Sequence, residues 1–423
     1  MTSLTKRWHQ GLAALGAVTF AVIGLAPVSA VASTKITLTE EDYFNTPGQL
    51  SGLASYTRQF EATHPGVTVT RQYVPFANLD TKLLTQAAGH DLPNILAVDN
   101  PFVPTMITTG EIVPLSGMKG FSTKGYYPAV IDEGLFNGKY YSLPVAGANS
   151  IALIYNIAML KAAHVSPPTT WAQLVSAAKA LTTPQHYGIA LTCEAAEDTT
   201  WQWEPFFWSD GGDGTFANIA SAPGVQALGL WDELVKDGSA SKACLNWSQT
   251  PAASSQFIAG KAAMMVNGPW NFPTLNLNHM YYGKQFGIVP VPVRAPGQHV
   301  IVPLGGEDWM ISQSGGSAAQ QLAFEYIEGM QAPAQELVLA KDFGYLPGKI
   351  AVAQTYLKQV GPEWKVYVDQ TLYARPRTLG LGVKYPKISE AVWTAIQAAI
   401  SGSQSVQSAL STAQSQITAI LKG

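Results

Sequence analysis

The sequence predicts an α/β protein of two domains built on mainly parallel sheet, and three observations carry that prediction. Strand-like and helix-like patterns alternate along the first part of the chain, the signature of strand–helix–strand units. The chain has 423 residues, too many for a single small core, so division into two domains is expected. Two small-residue breaks, Ala146-Gly147-Ala148 and Gly305-Gly306, interrupt strand-like runs where a chain could cross between domains.

The N-terminus reads as a leader. Lys6 and Arg7 form a basic segment, Gly11 to Leu25 form an apolar run too short for a membrane span, and Ala30-Val31-Ala32 supplies the small residues of a cleavage site. Cleavage after Ala32 would leave 423 − 32 = 391 residues. No cysteine lies near that site, so the exported form is not expected to be a lipoprotein.

Beyond the leader, Lys35 to Leu38 alternates like a strand and Glu40 to Gly48 reads as a polar loop. Leu50, Leu53, Thr57 and Phe60 recur at helical spacing until Pro65-Gly66. Val67 and Val69 begin a second strand, Leu79, Leu83 and Leu84 mark a helix, and Ile95 to Val98 is a buried strand ending at Asp99. In such sheets ligands sit beyond the carboxyl ends of the strands, where the Glu40 loop and Asp99-Asn100 fall.

Ser150 to Tyr155 is an apolar strand, and Thr170 with Gln173 forms a capping box that opens a helix through Leu181. Helical spacing returns from Val225 to Val235. Ala262 to Val266 is a short apolar strand that breaks into Asn267-Gly268-Pro269-Trp270, a turn suited to presenting the ring beside a cleft. Phe286 to Val293 is interrupted by Pro290 and Pro292, and Leu322 to Met330 is helical. In the C-terminal region Ile388, Val392, Ala395, Ile396 and Ala399 share one apolar stripe, with Trp393 off it. Val406, Leu410, Ile417 and Leu421 support a final helix.

Composition narrows the function. Lys and Arg number 25 against 28 Asp and Glu, so without Lys6 and Arg7 the formal charge is 23 − 28 = −5. There is no basic patch for nucleic acid and no polybasic membrane-binding run. No GxSxG, HExxH, P-loop or GxGxxG motif is present, and the seven histidines are scattered, giving no support for a metal or a cofactor. Two cysteines, Cys193 and Cys244, are expected to form a disulfide in an exported protein, with free thiols as the alternative.

The unusual residue is tryptophan, with 11 copies. Trp201 lies near Trp203 and Trp208, Trp270 follows a Gly-Pro turn, and Trp309 follows the glycine pair. Indole faces stack on the C–H faces of pyranose rings, while the sugar hydroxyls need carboxylate, amide and guanidinium partners. About half of the tryptophans should be core, Trp203 and Trp208 first among them. Glu40-Glu41-Asp42 and Glu307-Asp308 are acidic clusters. Each could be a solvated loop end or one half of a glycosidase pair.

Several segments, in order, resemble the extracellular solute-binding proteins of ABC importers, the family that includes maltose-binding protein. They are NSIALIYNIAMLKAAHV from Asn149, TTWAQLVSAAKALT from Thr169, FIAGKAAMMVNGPW from Phe257, GGEDWMIS from Gly305, the Gly344-Tyr345-Leu346-Pro347 turn, and Arg375 to Ile400. The resemblance implies two α/β lobes joined by a multi-strand hinge, with a sugar bound in the cleft between them and delivered to a membrane permease. It implies lobe 1 over 33–146 and 305–355 and lobe 2 over 147–304 and 356–423, in a monomer that is not an enzyme. Trp270 and Trp393 fall on the family's stacking positions and Trp201 near a third, with Trp309 as a further platform. Asp99 and Asn100, Glu41 or Tyr43, Glu307 and Arg377 are the expected polar contacts. Gly147 stands where maltose-binding protein has a glutamate, and the first-lobe loop lacks that protein's Trp and Arg, so the sugar itself is not implied. A secreted carbohydrate-active enzyme and a same-fold receptor for a non-sugar solute are the other readings.

Overall fold

The computed structural model describes residues 35–370, 373–378 and 380–423; the leader expected at 1–32 lies outside them. The chain begins with β1 (Ile36–Asp42), α1 (Pro47–Thr63), β2 (Val67–Tyr73), α2 (Phe76–Ala88), β3 (Ile95–Asp99), α3 (Val103–Thr108) and α4 (Pro128–Ile131). A short hairpin, β4 (Leu135–Phe136) and β5 (Lys139–Tyr140), precedes β6 (Ser142–Pro144). There follow β7 (Ala152–Asn156), α5 (Ile157–Ala162), α6 (Trp171–Leu181), β8 (Tyr187–Ala190), α7 (Glu197–Ser209), α8 (Ala222–Lys236), α9 (Ser254–Ile258), β9 (Ala262–Asn267), α10 (Phe272–Leu277) and β10 (Phe286–Val289). Last come β11 (Pro303–Leu304), β12 (Glu307–Ile311), α11 (Gly316–Met330), α12 (Pro333–Phe343), α13 (Ile350–Leu357), α14 (Lys365–Gln370), β13 (Arg375–Pro376), α15 (Tyr385–Ser401) and α16 (Val406–Lys422).

Two separate sheets result, ordered β2-β1-β3-β12-β6 and β10-β7-β9-β8. The period of two along each strand divides its side chains between two cores. In β3, Ile95 and Ala97 face a core with Leu53, Phe60, Phe324 and Ile327. Leu96 and Val98 face the other side, against Leu79, Leu83 and Met106. The second sheet does the same: Leu153, Met264 and Val266 meet Trp203, Trp231 and Ile388, while Ile154 and Met265 meet Phe272, Phe286 and Tyr367. A sheet covered by helices on both faces explains why these strands read as unbroken apolar runs.

The sheets are mixed, where the sequence suggested mainly parallel pairing. β1 lies parallel to β2 and β3, but β12 returns from far along the chain and runs antiparallel to β3 and β6. Only β8 and β9 pair in parallel in the second sheet, with β7 and β10 antiparallel. Glu40, Glu41 and Asp42 are the end of β1, and all three are buried. Arg71 from the paired strand neutralises Asp42, and Lys82 reaches Glu41 at 2.9 Å, which is how an acidic run stays in a strand.

The crossings between the sheets lie side by side. Asn149 N–H donates to the Gly305 carbonyl at 2.8 Å, and Gly305 N–H returns to the Asn149 carbonyl at 3.0 Å. β11 pairs in parallel with β13. Gly147 has φ +115°, and a Cβ there would lie 1.9 Å from the Leu346 carbonyl oxygen, so this crossing requires glycine. Cys193 and Cys244 are both buried in the core beside α7 and α15, joined by a backbone hydrogen bond from Cys193 N–H to the Cys244 carbonyl at 2.9 Å.

Candidate functional site

A cavity of ≈ 310 Å³ opens between the two sheets, with walls from both. The first sheet contributes its strand ends: Tyr43 after β1, Asp99 closing β3, and Glu307 opening β12. The second contributes the start of α7, the 248–251 loop and Trp270. Arg377 enters from the crossing that follows β13.

Arg377 is the charge centre of this cavity. Its guanidinium donates to both carboxylate oxygens of Asp99, at 2.8 and 2.5 Å, and to Glu197 Oε1 at 2.9 Å. It also lies 4.6 Å over the Trp201 ring, a cation–π placement that fills one indole face. Burial works against the Arg377 charge, yet Asp99 and Glu197 hold its pKa well above the ordinary value. Asp99 belongs to the first sheet and Glu197 to α7, so one side chain ties both walls. Glu197 accepts further hydrogen bonds from Tyr385 at 2.8 Å and from Ser389.

Glu307 is held differently. Tyr43 and Tyr345 each donate a phenolic O–H to it, and burial followed by repulsion from Asp99 pushes its pKa up to about 7. Near the start of α7, Glu194 and Asp198 also line the cavity. Asp198 Oδ2 accepts from the Gln249 backbone N–H at 2.9 Å. Burial and then Glu194 raise the Asp198 pKa to about 7, and burial raises that of Glu194 as well.

Trp270 is half-buried and packs against the cores of both sheets. Its Nε1 donates to Thr250 Oγ1 at 3.3 Å. A Cβ on Gly268 would lie 1.9 Å from the ring, so the absence of a side chain there is what seats the indole. Asn271 Nδ2 donates to Asn267 Oδ1 at 2.6 Å across the base of the turn, fixing the segment that carries the ring.

Of the residues singled out in the sequence, Trp270, Trp201, Asp99, Tyr43, Glu307 and Arg377 line this cavity. Trp309, Trp393, Asn100 and Glu41 do not. Trp309 shares a face of β12 with Glu307 but lies two residues further from the strand end, under the first-sheet helices, so it points into that core, edge-on to Phe44 with centroids 5.9 Å apart. Trp393 is half-buried on α15 and contributes nothing to the wall. Asn100 turns inward to donate to Asp308 Oδ2 at 2.6 Å, and Glu41 is committed to Lys82 and Gln86. Sequence reasoning missed Tyr345, Gln249 and the group Glu194, Glu197 and Asp198. That group carries a signal: three acids in five residues, in a chain only 13% charged.

Among the described residues no group of three or more His, Cys, Asp or Glu side chains is placed to hold a metal ion, and no helix is long and apolar enough to cross a membrane. Residues 55–368 match the model of the bacterial extracellular solute-binding proteins. A binding protein of Brucella abortus is 24% identical over 304 residues, covering 70% of each chain. The maltotriose-binding protein of Pyrococcus abyssi is 23% identical over 372 residues, 84% of this chain and 74% of its own. The solved structure of an ABC transporter solute-binding protein from Thermotoga lettingae, bound with α-D-tagatose, superposes with a TM-score of 0.81 at 22% identity, covering 92% of this chain and 100% of that one.

Proposed function

The chain belongs to the bacterial extracellular solute-binding protein family, and from that premise we propose that it captures a mono- or oligosaccharide and delivers it to the permease of an ABC importer. The observation that carries this reading is a cavity walled by both lobes, in which the half-buried Trp270 ring stands beside buried carboxylate, amide and phenol groups. An indole face suits a pyranose ring, and the polar groups suit its hydroxyls. The bound sugar joins the Asp99 and Glu307 wall to the Trp270 wall and so favours the closed form, which docks on the permease.

Trp270 is the stacking platform. Trp201, with one face covered by Arg377, offers at most its other face or edge. Asp99 and Glu197 are engaged by Arg377, and Glu307 by Tyr43 and Tyr345, which suits a binder; the protein acts without turnover of its ligand. The lobes comprise 33–146 with 305–355 and 147–304 with 356–423, in a monomer released to the outside of the membrane by cleavage after Ala32, without a lipid anchor. Cys193 and Cys244 are free thiols in this structure but adjacent in the second-lobe core; in the exported, oxidised protein they form a disulfide, closing a loop of about 50 residues that is worth on the order of 3–4 kcal/mol if unstrained.

A thermal-shift screen against mono- and oligosaccharides tests the reading. A ligand at 100 times its Kd adds ~2.7 kcal/mol of stability, so the cognate sugar should raise Tm clearly. Absence of any shift across the screen would overturn the saccharide assignment.

A further inference from the structure

The charges that line the cleft do not balance. Five carboxylates face it, those of Asp99, Glu194, Glu197, Asp198 and Glu307, with Arg377 as the sole cationic side chain and no lysine or histidine. Arg377 is consumed by Asp99 and Glu197. Glu307 is satisfied by two neutral phenols. Glu194 and Asp198 remain, side by side, and among the described residues no lysine, arginine or histidine forms an ion pair with either.

The position of this pair explains part of its chemistry. Asp198 lies in the first turn of α7, where the helix dipole favours a negative charge. That accounts for one carboxylate at a helix start; it does not account for a second beside it, both turned to a cavity that already holds three more. A neutral sugar also hydrogen-bonds carboxylates, but it brings no opposite charge to let both members of this hydrogen-bonded pair ionise. A protonated amine does, because an ammonium donates up to three hydrogen bonds and carries the opposite charge.

A second feature beside the pair also points to a ligand. Gln249 gives its backbone N–H to Asp198, lines the same cavity, and is only 5% exposed, yet its side-chain Nε2 has no acceptor. A buried amide donor left unpaired in a wall is costly unless something occupies the space in front of it. A sugar oxygen next to an amino group would meet both needs, the hydroxyl accepting from Gln249 and the ammonium donating to Glu194 and Asp198. A metal ion fits less well, since the described residues hold no ligating group of three.

We propose that this cleft is built for a saccharide that carries a protonated amine, and that Glu194 and Asp198 form its ammonium subsite. The inference rests on the saccharide reading and deepens it. Trp270 holds the sugar ring by its apolar face, Arg377 fixes the two walls, and the Glu194–Asp198 pair selects the amino sugar over its hydroxyl counterpart. Affinity for the amine should fall as salt screens the attraction, whereas affinity for a neutral sugar should not.

The test is titration calorimetry at neutral pH with matched amino and hydroxyl sugars: glucosamine against glucose, galactosamine against galactose, and deacetylated chitobiose and chitotriose against cellobiose and cellotriose. At least one amino sugar should bind tenfold or more tightly than its hydroxyl counterpart, with a preference that shrinks in 0.5 M NaCl. In Glu194→Gln and Asp198→Asn, checked for folding by thermal unfolding, that ratio should approach one and its salt dependence should disappear, whatever the change in affinity for the neutral sugar. A neutral sugar that binds as well as or better than its amino counterpart would overturn this inference and leave the saccharide reading standing. Binding by no sugar of either kind would overturn both. Because the ratio and its salt dependence are read on the unmodified protein, misfolding of either variant leaves the proposal open to refutation.

Discussion

Two carboxylate pairs lie within one cleft, three of the four residues coming from the run 194–198, yet they stand in opposite circumstances. Asp99 and Glu197 share the Arg377 guanidinium through three hydrogen bonds. Glu194 and Asp198 share no cation: they hydrogen-bond each other, and Asp198 alone accepts a backbone N–H, that of Gln249. The first pair spends its charge inside the protein, binding the first-lobe sheet to α7 through the crossing that follows β13. The second has no cation from the protein and is open to one that enters. A buried carboxylate is therefore not evidence of ligand contact until its partners are counted, because a protein-supplied cation turns the same residue type into scaffold.

That contrast is broken most directly at Arg377. Replacing it by methionine keeps much of the volume and removes the charge, leaving Asp99 and Glu197 facing each other without compensation. Breaking a buried ion pair by removing one partner costs about 3–5 kcal/mol, so Arg377→Met should lose about that much in urea unfolding. Glu194→Gln, which removes an acid that has no cation, should stay within about 1 kcal/mol of the parent. Equal losses in the two variants would erase the distinction.

The pH dependence of stability sharpens the same comparison. Burial raises the folded-state pKa of Asp198 and Glu307 to about 7, well above their unfolded values. These groups stay protonated in the folded chain after they have ionised in the unfolded one. Their stabilising contribution is full below the unfolded pKa and is lost as pH rises through about 7, at up to ~1.4 kcal/mol per pH unit for each group. Tm in the absence of ligand should therefore fall between pH 5 and pH 8. Asp198→Asn should flatten that slope, and an unchanged slope would remove Asp198 from the uncompensated set.

The fold was legible because its signals are local. A capping box at Thr170 and Gln173, periodic apolar residues in α1 and α8, and the apolar runs of β3 and β9 up to their polar last residues depend on near neighbours alone. The antiparallel return of β12 was not legible, since its partner β3 lies some two hundred residues earlier and no local pattern encodes that pairing. In the site, the strand-end position of Asp99 and the turn carrying Trp270 could be read, because each is set by the element that ends there. Trp309 could not be separated from them: it shares a strand face with the cavity-lining Glu307, and only its depth along that strand, set by where the covering helices end, places it in a core. Arg377 was visible as a polar candidate, but its partners come from residues 99 and 197, and that convergence exists only after folding. The glutamate and aspartate around α7 were overlooked although their density marks them.

The smallest predicted effect tests whether the stacking surface is as well positioned as the charges. Trp270→Ala removes the indole and should weaken sugar binding by ~1–3 kcal/mol. Gly268→Ala leaves the indole in place chemically and disturbs only its seat. Gly268 has φ −108° and ψ 175°, a conformation alanine adopts freely, so the backbone needs no adjustment. The new methyl would meet the Trp270 ring, which approaches that point to 1.9 Å, and the ring must swing away or the turn must open. Either shift moves a flat surface that has to lie against the face of a sugar, so affinity should fall by roughly three- to tenfold, about 0.7–1.4 kcal/mol, with Tm in the absence of sugar changed far less than in Arg377→Met. A Gly268→Ala protein that binds its sugar with parental affinity would mean that the ring near Gly268 is not the surface the sugar uses, and the stacking role would pass to the edge of Trp201 that Arg377 leaves uncovered.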